Sequence, residues 1–284
     1  HLLYFNMIID GKKYSEEIKN EIKKEIIELK KKKNVTPCLV VILIGSFEPS
    51  KIYVRNKEKV ANEVGIKSKI LKYPADVQEH EILNKITELN NDKDVHGILV
   101  QLPLPKQINV KNIINSIDPK KDVDGFNPIN VGNLASGYKS IVPCTPLGCM
   151  ILIKKIEKKI DGKHAVIIGR SNLNGKPMSQ LLLKENCTVT IVHSKTKDIK
   201  TECKKADILV AAAGVPNLVR GSWIKDGSIV IDVGINKING KLVGDVHFDE
   251  VKEKVKAITP VPGGVGPMTI ACLLKNTLEC FKDL

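Results

Sequence analysis

The chain has 284 residues, 42% of them hydrophobic and 27% charged, and its 45 Lys and Arg outnumber 32 Asp and Glu to leave a formal net charge of +13. That length predicts two modest domains, and the balance excludes a disordered tail, a collagen and a coiled coil. With no apolar run near the roughly 18 residues of a membrane span, and no charged-then-apolar leader, the expectation is a folded cytoplasmic protein.

The first six residues, HLLYFN, read as the remains of a purification tag and protease site ahead of Met7 and are set aside. From Lys12 to Lys33, lysines and glutamates surround the apolar stripe Ile18, Ile22, Ile26 and Leu29, which predicts an amphipathic helix with a solvated face. Next come strands at Cys38–Ile44, Lys67–Leu71 and Gly97–Val100, alternating with helices from about Ser50 and near His80–Leu89. This βαβαβ order implies a parallel sheet. Residues 102–137 are rich in Pro, Asn, Asp and Gly and predict long loops around one helix at Val110–Ile117. Such loops usually carry function.

A second alternation starts at Thr145-Pro146-Leu147-Gly148, with a helix to about Lys158 and strands at His164–Ile168, Thr188–Val192, Ile208–Ala211, Ile229–Asp232 and Ala257–Ile258. It predicts a doubly wound nucleotide-binding domain, and an apolar helix at Met268–Phe281 closes the chain. The basic excess suits a polyanionic partner, but with aromatics at only 4% there are few stacking platforms for nucleic acid. Seven cysteines without a CxxC pair, and six histidines without HExxH, predict neither a disulfide framework nor a metal site.

Within the helix that starts near Ser50, Tyr53, Lys57, Val60 and Val64 share one face, and the valines mark that face as inward. A lysine in that stripe is locally inconsistent, and such conflicts tend to be functional. Partial desolvation favours the neutral amine and suits Lys57 to proton transfer, while Tyr53 is placed to stack on a flat ligand. The competing reading is a lysine that reaches back to water. Gln101 follows the strand Gly97–Val100, at the carboxyl end where open parallel sheets bind ligands. There its amide can position a water or a substrate atom. Asp122 and Asp124, in KKDVDGFNP, read either as a pocket carboxylate for an amino-substituted heterocycle or as turn chemistry.

Gly169-Arg170-Ser171-Asn172-Leu173-Asn174-Gly175 joins a strand to a helix, the place of a phosphate loop, although Ser171 and Asn174 replace two glycines of GxGxxG. The next strand ends in His193-Ser194-Lys195-Thr196, with no carboxylate for ribose hydroxyls. Basic and hydroxyl groups there suit a 2′-phosphate.

With these segments assembled, the chain resembles the bifunctional methylenetetrahydrofolate dehydrogenase/cyclohydrolase family from about Met7 to its end. The resemblance rests on PSKIYVRNK (Pro49 to Lys57), GILVQLPLP (Gly97 to Pro105), DVDGFNP (Asp122 to Pro128), PCTPLG (Pro143 to Gly148), GRSNLNGKP (Gly169 to Pro177), HSKT (His193 to Thr196) and PVPGGVGPMT (Pro260 to Thr269). It implies an α/β protein with an N-terminal three-layer folate/catalytic domain (7–140 plus 268–284) and a Rossmann-like NADP-binding domain (141–267). The C-terminal helix returns to the first domain.

The implied activity is NADP-dependent oxidation of methylene-tetrahydrofolate to the methenyl cation, followed by hydrolysis to formyl-tetrahydrofolate in the same cleft. Matched position by position, Lys57 is the catalytic lysine, Gln101 its hydrogen-bonding partner, Tyr53 the ring against the folate and Asp124 the pterin carboxylate. Pro262 and Gly263 lie in a backbone loop lining the substrate cleft. Gly169, Arg170, Ser171, Ser194, Gly214, Ile235 and Thr269 line the cofactor, with Lys195 near the adenosine phosphate, and no metal is implied. Asn174 departs from the hydrophobic residue of the GRSxxxG loop. The resemblance further implies a homodimer and an acidic, polyglutamylated substrate. The rival activities are an NAD(P)-dependent dehydrogenase for another small substrate and a single-activity member of the same family.

Overall fold

The computed structural model describes residues 6–284; positions 1–5, most of the expected tag remnant, lie outside the described residues. In chain order the first half runs Met7–Ile8 (β1), Gly11–Lys33 (α1), Cys38–Ile44 (β2), Glu48–Val64 (α2), Lys67–Tyr73 (β3), Glu79–Asn91 (α3), Gly97–Val100 (β4), Val110–Ser116 (α4) and Pro128–Ala135 (α5). The second runs Cys144–Ile156 (α6), His164–Ile168 (β5), Gly175–Lys184 (α7), Thr188–Val192 (β6), Ile199–Cys203 (α8), Ile208–Ala211 (β7), Ile229–Asp232 (β8), Asn236–Ile238 (β9), Lys241–Val243 (β10), Phe248–Val251 (α9), Ala257–Ile258 (β11) and Val265–Asp283 (α10).

Two compact units emerge. One comprises Glu17–Val142 with Ile270–Leu284, and the other Pro143–Thr269 with the N-terminal stretch to Glu16. The N-terminal stretch groups with the second half because β1 adds to that sheet, pairing in parallel with β11 from Met7 opposite Ala257.

The first unit is built on a parallel sheet in the order β3-β2-β4. All seven residues of β2 are buried, as a β-branched central strand covered on both faces requires. On one face Val40, Ile42 and Ile44 pack with Ile82 and Ile86 of α3 and Ile113 of α4. On the other, Leu39 lies beside Thr277 of α10 at the bare Cα of Gly97. Alternating exposure along β3, with lysines at the edge, keeps that strand from pairing further.

The second unit holds a sheet ordered β1-β11-β8-β7-β5-β6, its pairs all parallel. Chain order reverses about β5, since β6 lies on one side of it and β7 on the other. The crevice of a doubly wound sheet opens at the carboxyl ends of such strands.

Three details depart from the sequence expectation. The fully inward residues of α2 are Ser50, Val54, Ala61 and Val64, so Tyr53 and Lys57 flank the apolar stripe rather than lie within it. Part of the expected loop between residues 102 and 137 forms α5, because the Asn127 side chain caps it by accepting from the Ile129 N–H at 2.9 Å. The β9–β10 hairpin, turning at Asn239 and Gly240 with positive φ, was also unanticipated.

Candidate functional site

In the first unit, β4 delivers Gln101 to the end of the sheet. Its backbone N–H extends the ladder by donating to the Ile42 carbonyl at 2.9 Å. The Gln101 amide is then fixed at both ends: Oε1 accepts from Lys57 Nζ at 2.8 Å and Nε2 donates to the Leu102 carbonyl at 3.0 Å. Lys57 is half-buried on α2, its ammonium drawn towards the sheet by that bond. One turn earlier Tyr53 keeps half its surface exposed, leaving a ring face for a planar ligand.

The structure separates the two candidate aspartates. Asp122 performs the turn chemistry: its buried carboxylate accepts from the N–H groups of Gly125 at 3.1 Å and Asn127 at 2.8 Å, and from Asn130 Nδ2 at 3.0 Å. Buried Asn276 secures the same segment by donating to the carbonyls of Val123 and Val142. Asp124 lines a recess with Val100, Leu102, Ile113 and Phe126, which the hydrogen-bonded Asp122 also borders. Burial among these apolar groups pushes the Asp124 carboxyl up to about 7, against the pull of the Lys57 charge and with Asp122 adding to the rise. A carboxyl in a partly apolar recess, with a lysine charge close enough to act on it, can bind, orient and exchange protons with a polar heterocycle.

In the second unit, four turns follow the carboxyl ends of β5, β6, β7 and β8. Gly169, at φ +118°, begins the first of them. A Cβ there would collide with the Ala212 carbonyl, and one on Gly175 with the Gly169 carbonyl, so only glycine lets strand, turn and helix approach this closely. Ser171 braces the turn, its hydroxyl accepting from the Asn174 N–H at 3.0 Å, and Arg170 is exposed. After β6, Ser194 and Lys195 are exposed on a turn closed by His193 and Thr196. Gly214 follows β7 with φ +68°, Ile235 follows β8 with 54% of its surface exposed, and Thr269 Oγ1 lies 3.0 Å from Thr145 Oγ1. A glycine-lined turn at a helix N-terminus with Arg170 exposed beside it, and a hydroxyl-and-lysine turn on the neighbouring strand, fit a phosphorylated dinucleotide. Pro262 and Gly263 sit in the turn before α10, Pro262 exposed after a cis peptide bond. Half-buried Asn174 lines a hollow beneath this crevice with Met178, Val210 and Val233.

Asp232 and Asp245, both buried and neither of them singled out by the sequence, gather the turns after β7 and β8. The available signal was an aspartate ending an apolar strand two residues before Gly234. Among the described residues no cluster of His, Cys, Asp and Glu is suited to a metal ion, and no helix is long and apolar enough to cross a membrane.

Comparison with known proteins gives matches along nearly the whole chain. The family model "Tetrahydrofolate dehydrogenase/cyclohydrolase, catalytic domain" matches residues 9–124, and its NAD(P)-binding counterpart matches residues 143–284. The chain is 64% identical over 276 residues to the bifunctional protein FolD of Pelagibacter ubique, spanning 97% of this chain and 98% of that one. Among solved structures, the bifunctional methylenetetrahydrofolate dehydrogenase/cyclohydrolase FolD from Campylobacter jejuni is 49% identical with a TM-score of 0.95, covering 98% of this chain and 99% of that one. The Trypanosoma brucei N5,N10-methylenetetrahydrofolate dehydrogenase-cyclohydrolase, solved with NADP and an inhibitor, is 41% identical with a TM-score of 0.93, covering 98% of this chain and 97% of that one.

Proposed function

Because the chain belongs to the tetrahydrofolate dehydrogenase/cyclohydrolase family, we infer that it is a bifunctional folate enzyme. It oxidises methylene-tetrahydrofolate with NADP and hydrolyses the methenyl product to formyl-tetrahydrofolate. The observation that carries the reading is the Lys57 Nζ–Gln101 Oε1 bond of 2.8 Å in a unit whose Asp124 carboxyl shares the Lys57 field.

In this reading Asp124 accepts hydrogen bonds from the amino-substituted pterin and Tyr53 stacks on the folate rings. Pro262 and Gly263 contribute backbone to the substrate wall. NADP, when bound, accepts the hydride. Gly169, Arg170, Ser171 and Ser194 hold its phosphates, while Gly214, Ile235 and Thr269 flank its nicotinamide half. Hydride transfer leaves no proton for the protein to take. Hydrolysis does: water adds to the electrophilic methenyl carbon, a proton leaves, and the tetrahedral intermediate opens to the formyl amide. Lys57 Nζ is the group that exchanges that proton, and Gln101 holds it in position.

The net charge of +13 suits an acidic, polyglutamylated substrate without invoking nucleic acid. Seven free cysteines suit a reducing compartment, and we place the enzyme in the cytoplasm. We further propose a homodimer associating through the cofactor unit, where β6 is a sheet edge carrying the exposed side chain of Ile191.

The test is to incubate the protein with methylene-tetrahydrofolate and NADP and to identify the folate product by chromatography. Formyl-tetrahydrofolate forming faster than spontaneous hydrolysis supports both activities. Accumulating methenyl-tetrahydrofolate reduces the enzyme to a dehydrogenase. Lys57→Met is expected to retain measurable dehydrogenase activity while its cyclohydrolase rate falls about 100-fold or more; equal loss of both defeats the division of roles.

A further inference from the structure

Asp245, which has no exposed surface, lies between the turns that carry Gly214 and Ile235. Its Oδ2 accepts from the N–H groups of Ala213 at 2.7 Å and Gly214 at 2.9 Å, and its Oδ1 from Asn236 Nδ2 at 2.9 Å. Asp245 is itself anchored by its own N–H, which donates to Asp232 Oδ1 at 2.9 Å, an oxygen that also accepts from Gly234 at 3.0 Å. A Cβ on Gly234 would collide with the Asp245 carboxylate, so the turn after β8 is drawn against it.

A trans peptide points its carbonyl opposite to its N–H. With the N–H groups of Ala213 and Gly214 committed to Asp245, the carbonyls of Ala212 and Ala213 are turned the other way. The Ala212 oxygen accordingly lies where a Cβ of Gly169 would fall, on the side of the first cofactor turn. Across residues 212–214 every N–H is therefore spent inside the protein, on Ile168 and Asp245, and the carbonyls of Ala212 and Ala213 face away from Asp245, although Ala213 and Gly214 are both exposed.

We propose that Asp245 is a positioning residue for the oxidation step, turning the 212–214 peptides so that the Ala213 carbonyl accepts from the carboxamide amino group of the nicotinamide. The proposal rests on the NADP-dependent reading above and adds a residue that touches neither cofactor nor substrate. Asn236 is the outer half of the device, since its amide holds Oδ1 while the two backbone donors hold Oδ2.

Calorimetric titration with NADP, and with the analogue in which an acetyl group replaces the carboxamide, tests this in wild type, Asp245→Ala, Asn236→Asp and the swap Asp245→Asn/Asn236→Asp. Wild type is expected to bind the analogue about tenfold more weakly than NADP, the worth of one good hydrogen bond. Asp245→Ala should raise the NADP Kd about tenfold and bring the two ligands to within about twofold of each other. Asn236→Asp alone sets two carboxylates face to face and should weaken NADP similarly. In the swap, an amide at 245 again meets a carboxylate at 236, and affinity should return to within about threefold of wild type.

Cofactor-free hydrolysis of methenyl-tetrahydrofolate reports whether each variant is folded. If Asp245→Ala loses it, the single and swapped variants at 236 decide the question. An unchanged NADP Kd in folded Asp245→Ala, discrimination against the analogue that persists there, or a swap no better than Asn236→Asp overturns the proposal. A wild type that neither binds nor reduces NADP overturns the functional reading instead.

Discussion

Asp124 is where affinity and stability pull in opposite directions. Its folded-state carboxyl titrates at about 7 against an ordinary 3.8, so the chain holds its proton more tightly folded than unfolded. The associated stability is present below pH 3.8 and is lost as pH rises through 7. Asp124→Asn removes that loss, and thermal melts should show the variant gaining on wild type more at pH 8 than at pH 5. Its folate KM should rise about tenfold or more at pH 8 with little change in the KM for NADP, because a neutral amide cannot accept both pterin hydrogen bonds. In wild type the same KM should climb as pH falls below 7, when the carboxylate takes up its proton. A change confined to the KM for NADP means that the pterin is bound elsewhere. The two aspartates of DVDG look alike in sequence, and both fit turn chemistry. Only the hydrogen bonds accepted by Asp122 from Gly125, Asn127 and Asn130 show which of the two is committed to the turn.

Among the elements, the β5–α7 turn carries the cofactor reading furthest. The position of this turn was legible from an apolar strand running into a Gly-bounded segment and an apolar helix, even with two glycines of the fingerprint replaced. What the pattern did not contain is that Gly169 faces the carbonyl of Ala212, just past β7 and more than forty residues away. Gly169→Ala adds a Cβ against that backbone at φ +118° and is expected to raise the NADP Kd about tenfold or more, read by calorimetry, with cofactor-free hydrolysis intact. Helix α2 teaches a related lesson. Period-3.6 counting placed Lys57 in the apolar stripe, whereas Val54 and Ala61 are the buried residues and Lys57 lies beside them. Hydrophobic periodicity locates a face to within about one residue's 100° step, and a lysine at the boundary satisfies either assignment. The Gln101 amide resolves it by holding Nζ at the sheet end.

At the level of the whole molecule, the proposed dimer is open to direct test. Sedimentation velocity should return a dimer for wild type, and Ile191→Lys on the β6 edge should weaken association about tenfold or more; a wild-type monomer at micromolar concentration refutes the assembly. The two parallel α/β sheets were legible from residue order alone, since apolar runs such as CLVVILI and HAVII recur between helical stretches and leave little polar surface for solvent, and so was the order of the chemical motifs along the chain. Which polar residues act on one another follows from the packing. It paired Lys57 with Gln101 across 44 positions, tied the Asp122 carboxylate to the backbone while Asp124 lies in the field of Lys57, and set Asp245 under Ala213 and Gly214 across 32 and 31 positions. The physical reason is that burial of apolar surface follows local periodicity, whereas a buried hydrogen bond depends on sub-ångström placement of groups that only the packed sheets bring together.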